Sequence, residues 1–162
     1  MSREVKRLKA ATAETRRRYP AQPVVGVGAV VVRRGRVLMV ERGRAPMKGY
    51  WSLPGGVVKP GERLRDGIRR EVKEETGIEV QPLGVGEVFE RLLRDGRGRV
   101  EYHYVLIDYL CRAVGGRLRA ADDANSARWI PLDDLGRYAV TAGTLEVVRK
   151  VVRRGRQGLL GT

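Results

Sequence analysis

From Val24 to Val32 the chain reads VVGVGAVVV, a β-branched run with no polar position. A strand covered on one face would alternate, so this one is expected to be buried on both sides. RRGR then turns the chain into a second strand, VLMVE at 37–41, and this hairpin starts the core. Leu64, Ile68 and Val72 recur at i+4 steps, which predicts a helix from Glu62 to Thr76 with Gly77 as its left-handed cap. Two long strand patterns follow, Leu83 to Leu93 and Arg99 to Cys111, joined by the turn RDGRG. VGGR leads into a polar loop and a short strand, Ala127 to Ile130. A closing helix is predicted from Thr144 to about Arg154, with Leu145, Val148 and Val152 on one face. Upstream, Val5, Leu8, Thr12, Thr15 and Tyr19 sit at helical spacing in a basic segment that stops at Pro20. The expected organisation is a helical extension over 1–20, a folded domain over 21–155 and a frayed tail over 156–162. Mixed strands with a helix in the middle and another at the end predict an α/β layered sandwich.

Composition narrows the chemistry more than the fold. A length of 162 residues suits one domain with a real core. No apolar run approaches the roughly 20 residues that span a bilayer, and MSREVKRLKA lacks the apolar stretch of a secretory signal, so a cytoplasmic protein without membrane contact is expected. One cysteine, Cys111, cannot form an internal disulfide, and with one histidine a zinc cage of thiolates and imidazoles is out of reach. Cys111 reads as a small buried hydrophobe. Any metal must bind oxygen ligands. The formal net charge of +14 attracts polyanions. That attraction does not discriminate between a nucleotide, RNA and a membrane surface, and the arginines are spread along the whole chain without a clustered patch of interleaved aromatics, which fits a solvated surface or a codon-usage bias better than a focused nucleic-acid groove.

Against that basic background, three acids stand together. Glu71 lies seven residues after Leu64 and Glu75 seven after Ile68, so both return to nearly the apolar side of the helix and should be partly buried. Glu71, Glu74 and Glu75 are also neighbours at i, i+3 and i+4, where like charges repel. Glu74 and Glu75 occupy the last turn, the end of the helix dipole that disfavours anions. An unpaired buried carboxylate costs several kcal/mol, more than Lys73 or another exposed cation returns through a surface pair; the alternative is a solvated acidic face paired with Arg69, Arg70 and Lys73. A hard divalent cation meets that need, since magnesium prefers oxygen and is commonly held by a few carboxylates together with substrate phosphates.

The run Gly56, five residues, Glu62, seven residues, then Arg70-Glu71-Val72-Lys73-Glu74-Glu75-Thr76-Gly77-Ile78 resembles the Nudix box at every specified position. The buried strand before it, WSLPGG leading in and ARWIPLDDL beyond are similar to the family as well, so the resemblance extends from about Val24 to Arg154. It implies a Nudix-type α/β/α sandwich with a mixed sheet, and hydrolysis of a nucleoside diphosphate linked to a group X with Mg2+ or Mn2+. By similarity Glu71, Glu74 and Glu75 would form the metal-binding face, with the carbonyl of Gly55 or Gly56 as a further ligand. Arg70 would orient the carboxylates, and Glu62 would support the loop or bind a second metal. The general base would be Glu71 or Glu75. Asp122 and Asp123 are the loop acids to weigh against them, with Glu101 as an outsider, although Ser126 stands where relatives carry an acid before Arg128-Trp129.

Substrate signals are thinner. Tyr102 and Tyr104 share one face of a predicted strand and His103 the other, and either set could meet a base, ribose or phosphate. Arg42 and Arg44 follow a core strand and could meet phosphates, whereas Trp51 and Trp129 read as packing residues. The leader RYPAQPVVGVGAVVV and YHYVLIDYL look like small bacterial Nudix proteins usually assigned to ADP-ribose or left without an assigned substrate, which makes ADP-ribose or a similar nucleoside diphosphate derivative the expected substrate. Nucleoside triphosphates, RNA 5′ ends and a noncatalytic nucleotide sensor are the competing readings. Dimers are common among such relatives, so a homodimer is an expectation carried by the resemblance.

Overall fold

The structure, a computed structural model, describes residues 17–43, 47–119 and 124–158. The expected N-terminal helix lies outside the described residues except for its end, where residues 17–20 form a turn, with Tyr19 at φ 52°, and no helix; the last residues of the tail also lie outside the described residues. Strand β1 (Val24–Arg33) is buried without interruption from position 26 to 31, as its unbroken β-branched composition requires. Arg34 and Gly35, at φ 51° and 72°, turn it into β2 (Arg36–Arg42). A two-residue hairpin of this kind needs positive φ at both central positions, which Gly35 adopts without strain.

Strand β5 (Ile78–Arg94) pairs antiparallel with β6 (Val100–Gly116), and β6 runs parallel to β1 with Val24 opposite Tyr104 and Val31 opposite Cys111. The other edge of β1 takes the short β4 (Gly55–Val57) and, at Val32 and Arg33, the start of β2. Strand β2 is flanked in turn by β3 (Trp51–Ser52) and β7 (Ala124–Pro131), both antiparallel. A mixed sheet and an antiparallel one thus meet at β1. Alternate residues of β1 feed two cores. Val27, Ala29 and Val31 pack with Ile68 and Val72 of α1 (Leu64–Thr76) and with Tyr109 and Cys111. Val30 packs on the opposite face with Met39, Trp51 and Ile130, and with Val147, Val148 and Val151 of α2 (Thr144–Arg156). At about 1.5–3 kcal/mol for each buried Val or Ile, both helices are held by their apolar stripes. The result is the expected α/β/α sandwich. Among the described residues no helix is long and apolar enough to cross a membrane.

Several boundaries differ from the sequence expectation, each for a physical reason. The helix starts at Leu64 and not at Glu62, because the Glu62 carboxylate is committed to the Lys59 amide and to Arg70 in the turn before it. β5 begins at Ile78, five residues before Leu83. Pro82 masked this stretch, yet β5 is an edge strand, where a missing N–H is tolerated, and the register shifts between Pro82 and Gly84. β6 continues past Cys111 to Gly116, and β7 starts at Ala124. β3 and β4 are too short to leave a periodic signal. The closing helix runs to Arg156, and its stripe centres on Val147, Val148 and Val151, with Leu145 and Val152 only partly buried.

Candidate active site

The C-terminal end of α1 is pinned by its own sequence. Thr76 Oγ1 donates to the Val72 carbonyl and accepts from the Ile78 amide, and Gly77, at φ 73°, closes the helix by donating to Lys73. This fixes the rotation of the last two turns and hence where the glutamates point. Glu71 and Glu75 are partly buried, while the Glu74 side chain is 44% exposed.

Glu71 lies against Gly56 so closely that a Cβ there would sit 2.5 Å from its carboxyl group. Burial pushes the Glu71 carboxyl above its ordinary range, against the hydrogen bond from Arg70, which draws it down. Glu75 Oε2 accepts from the Gly55 amide at 2.9 Å, tying the helix to β4. Arg70 is the yoke between Glu71, Glu74 and Glu62. Its Nη1 reaches Glu71 Oε1 at 2.7 Å and Glu74 Oε2 at 3.1 Å, its Nε and Nη2 grip Glu62 at 2.6 and 2.9 Å, and Nη2 also donates to the Val57 carbonyl at 3.3 Å. Those bonds, the one to Glu62 foremost, raise the Arg70 pKa still further, and Arg70 in turn holds Glu62 down at about 2. The counter-charge that the acidic turn demands is therefore supplied in part by Arg70. Arg69 and Lys73 do not share in it, since they pair with Asp66 and Glu79.

Among the described residues no three of the His, Cys, Asp and Glu side chains converge into a ready cage for a metal. Glu71 and Glu74 are linked through Arg70 and Glu75 is held by a backbone amide. The donor set still fits a hard divalent ion: it consists of carboxylate oxygens beside a glycine strand, one of them largely shielded from water. Two open cavities of about 540 and 610 Å³ flank α2 and contain none of these residues.

The NUDIX domain sequence profile matches residues 22–151. This chain belongs to the Nudix family of pyrophosphohydrolases. It is 34% identical over 117 residues to an ADP-ribose pyrophosphatase of Methanocaldococcus jannaschii, a match spanning 72% of this chain and 67% of the relative. It is 28% identical over 115 residues to the nucleoside triphosphatase NudI of Escherichia coli, across 67% of this chain and 79% of that protein. The crystal structure of a MutT Nudix hydrolase from Burkholderia pseudomallei superposes with a TM-score of 0.71 at 35% identity, covering 80% of this chain and 98% of the other. Nudix hydrolases generally use divalent metals.

The remaining expected positions of this Nudix domain are scattered. Tyr102 and Tyr104 do share a face and stack, with ring centroids 6.2 Å apart. His103 points the other way, its Nε2 3.6 Å from Glu90. Glu101 is engaged by Arg18 at 2.9 Å. Arg42 closes β2 near Arg91, whereas Arg44, Asp122 and Asp123 lie outside the described residues. Trp51 packs in the second core edge-on to Tyr138, and Trp129 lies under the Arg33 guanidinium at 4.5 Å. A buried acid, Asp108, was not among the expected positions. Its signal was in the sequence all the same, as the charged residue interrupting VLIDYLC.

Proposed function

We propose that this Nudix domain hydrolyses the diphosphate of ADP-ribose or a closely similar nucleoside diphosphate derivative, giving AMP and ribose 5-phosphate from ADP-ribose. The observation that carries the reading is the Glu71 carboxyl, buried against Gly56 and yoked by Arg70 to Glu74 and Glu62. Identity to a relative named as an ADP-ribose pyrophosphatase supports the choice of substrate.

Glu71, Glu74 and Glu75, with the carbonyl of Gly55 or Gly56, would hold Mg2+ or Mn2+, which when bound neutralises the diphosphate and lowers the pKa of the attacking water. Arg70 keeps the carboxylates in one orientation, and its own bonds to Glu62 and Val57 keep Arg70 from turning into the substrate. Glu71 or Glu75 takes the proton of the water. The chain then needs no covalent nucleophile, because positioning and charge carry phosphoryl chemistry.

The test is product analysis with Mg2+ on ADP-ribose, NADH, dinucleoside polyphosphates, nucleoside triphosphates and a 5′-triphosphate RNA, with Glu75→Gln as control. AMP and ribose 5-phosphate from ADP-ribose, lost in the variant, is the expected result, and preference for another substrate would overturn the assignment. The 28% identity to a nucleoside triphosphatase makes triphosphates the second reading. An RNA substrate would show itself by activity that collapses with added salt, as the charge of +14 would then drive binding.

A further inference from the structure

A second polar group lies on the face of the mixed sheet opposite Glu71. Asp108 sits in the middle of β6, 5% exposed, opposite Gly28 on β1 and Glu87 on β5. Its Oδ1 lies where a Cβ of Gly28 would be, so the carboxyl leans over β1, and only glycine at 28 leaves room for it. Gly28 is paired in turn with Gly55, whose amide is held by Glu75. The Asp108 carboxyl is therefore one strand spacing, about 5 Å, from the strand that the catalytic helix grips.

Burial raises the Asp108 carboxyl to about 7, opposed by Arg91 and reinforced by Glu87. Among the described residues no hydrogen-bond donor reaches it. Arg91 attracts it without closing to an ion pair, and spends Nη2 on the Ala142 carbonyl at 2.8 Å. Glu87 is committed to Lys150 and Arg154 of α2. A nearly buried acid that no donor reaches and whose arginine neighbour makes no ion pair with it is costly to keep ionised unless a further donor is supplied. Arg91 and the exposed Ala142 carry this row of the sheet to the surface, and Tyr104 stands beside Arg91 on the same face.

We propose that Asp108 and Arg91 form a sugar-reading site, in which the Asp108 carboxylate accepts from the vicinal hydroxyls of a ribose attached to the diphosphate and Arg91 donates to an adjoining sugar or phosphate oxygen. A carboxylate offers two oxygens side by side and so suits a diol, and its place one strand from Gly55 suits the sugar next to the phosphates. Nucleobases lie farther from the scissile bond. This inference rests on the hydrolase reading for its substrate but not for its binding step.

The experiment compares ADP-ribose with analogues lacking the 2-hydroxyl on one ribose or the other, for the wild type, Asp108→Asn and Arg91→Gln. The expected result is that one analogue loses about 10- to 100-fold in kcat/KM with the wild type, and that this preference collapses in Asp108→Asn while turnover of the deoxy analogue persists. An unchanged preference in Asp108→Asn, or no preference in the wild type, overturns the proposal and leaves the hydrolase reading intact. If no substrate turns over, the hydrolase reading fails, and thermal stabilisation by ribose 5-phosphate against 2-deoxyribose 5-phosphate decides the site on its own. Equal stabilisation, or none by either, overturns it. Arg91→Gln serves as the second variant should Asp108→Asn not fold, its expected effect being weaker binding of both sugars.

Discussion

Replacing Asp108 with asparagine keeps the shape of the side chain and removes its titration. The carboxyl moves from an ordinary 3.8 to about 7 on folding, chiefly through burial. Such a rise corresponds to about 4 kcal/mol between the two protonation states. The native state holds this proton more tightly than the unfolded chain does. The contribution is therefore complete below about pH 4 and is lost as pH rises to about 7. Glu87, which its bond from Lys150 holds below the usual carboxylate range, stays ionised in that window, and the neighbouring Arg91, Lys150 and Arg154 are common to both proteins. Urea unfolding of wild type and Asp108→Asn at pH 5 and pH 8, taken as a difference so that other titrations cancel, should show the variant gaining about 2.5 kcal/mol relative to wild type across the interval. With a slope of roughly 1–3 kcal/mol/M, the relative midpoint moves by about 0.8–2.5 M. A difference that stays constant with pH would refute the account, since Asp108 would then be as well solvated in the fold as outside it.

Arg70→Lys retains the charge and loses the fork that joins Glu62, Glu71 and Glu74; the expected cost is about 2–4 kcal/mol, read as a lower Tm, with part of the loss recovered on adding Mg2+. Gly56→Ala drives a methyl into the Glu71 carboxyl and should lower kcat by more than about 10-fold at a modest cost in Tm, a split that kinetics and calorimetry on one preparation resolve. Burial pushes the Cys111 thiol to about 12, so it should resist alkylation at pH 8 in the folded protein and react at once in denaturant; rapid native labelling would contradict its place under α1.

The α1 helix was legible because three independent signals coincided: the Leu64, Ile68, Val72 stripe, the Gly77 cap and the crowding of Glu71, Glu74 and Glu75. β1 was legible because an unbroken apolar run has one economical place, between two layers. What sequence could not carry is pairing at a distance. That Arg70 chooses Glu62 and Glu71, leaving Lys73 to Glu79, depends on where the loop before α1 returns. The two-residue β3 and three-residue β4 exist only because β1 and β2 present edges to them. Asp108 was hidden for a related reason: its meaning lies in Gly28, 80 positions away in the chain and adjacent only in the sheet.

The bond from the Gly55 amide to Glu75 makes one backbone proton a witness to the site. While the carboxylate accepts it, that proton should exchange slowly and resonate downfield. A cation that draws Glu75 toward itself takes the acceptor away. The Gly55 resonance would then shift with metal titration before any substrate is added, so that occupancy can be followed at a single peptide group, without turnover and without altering a side chain.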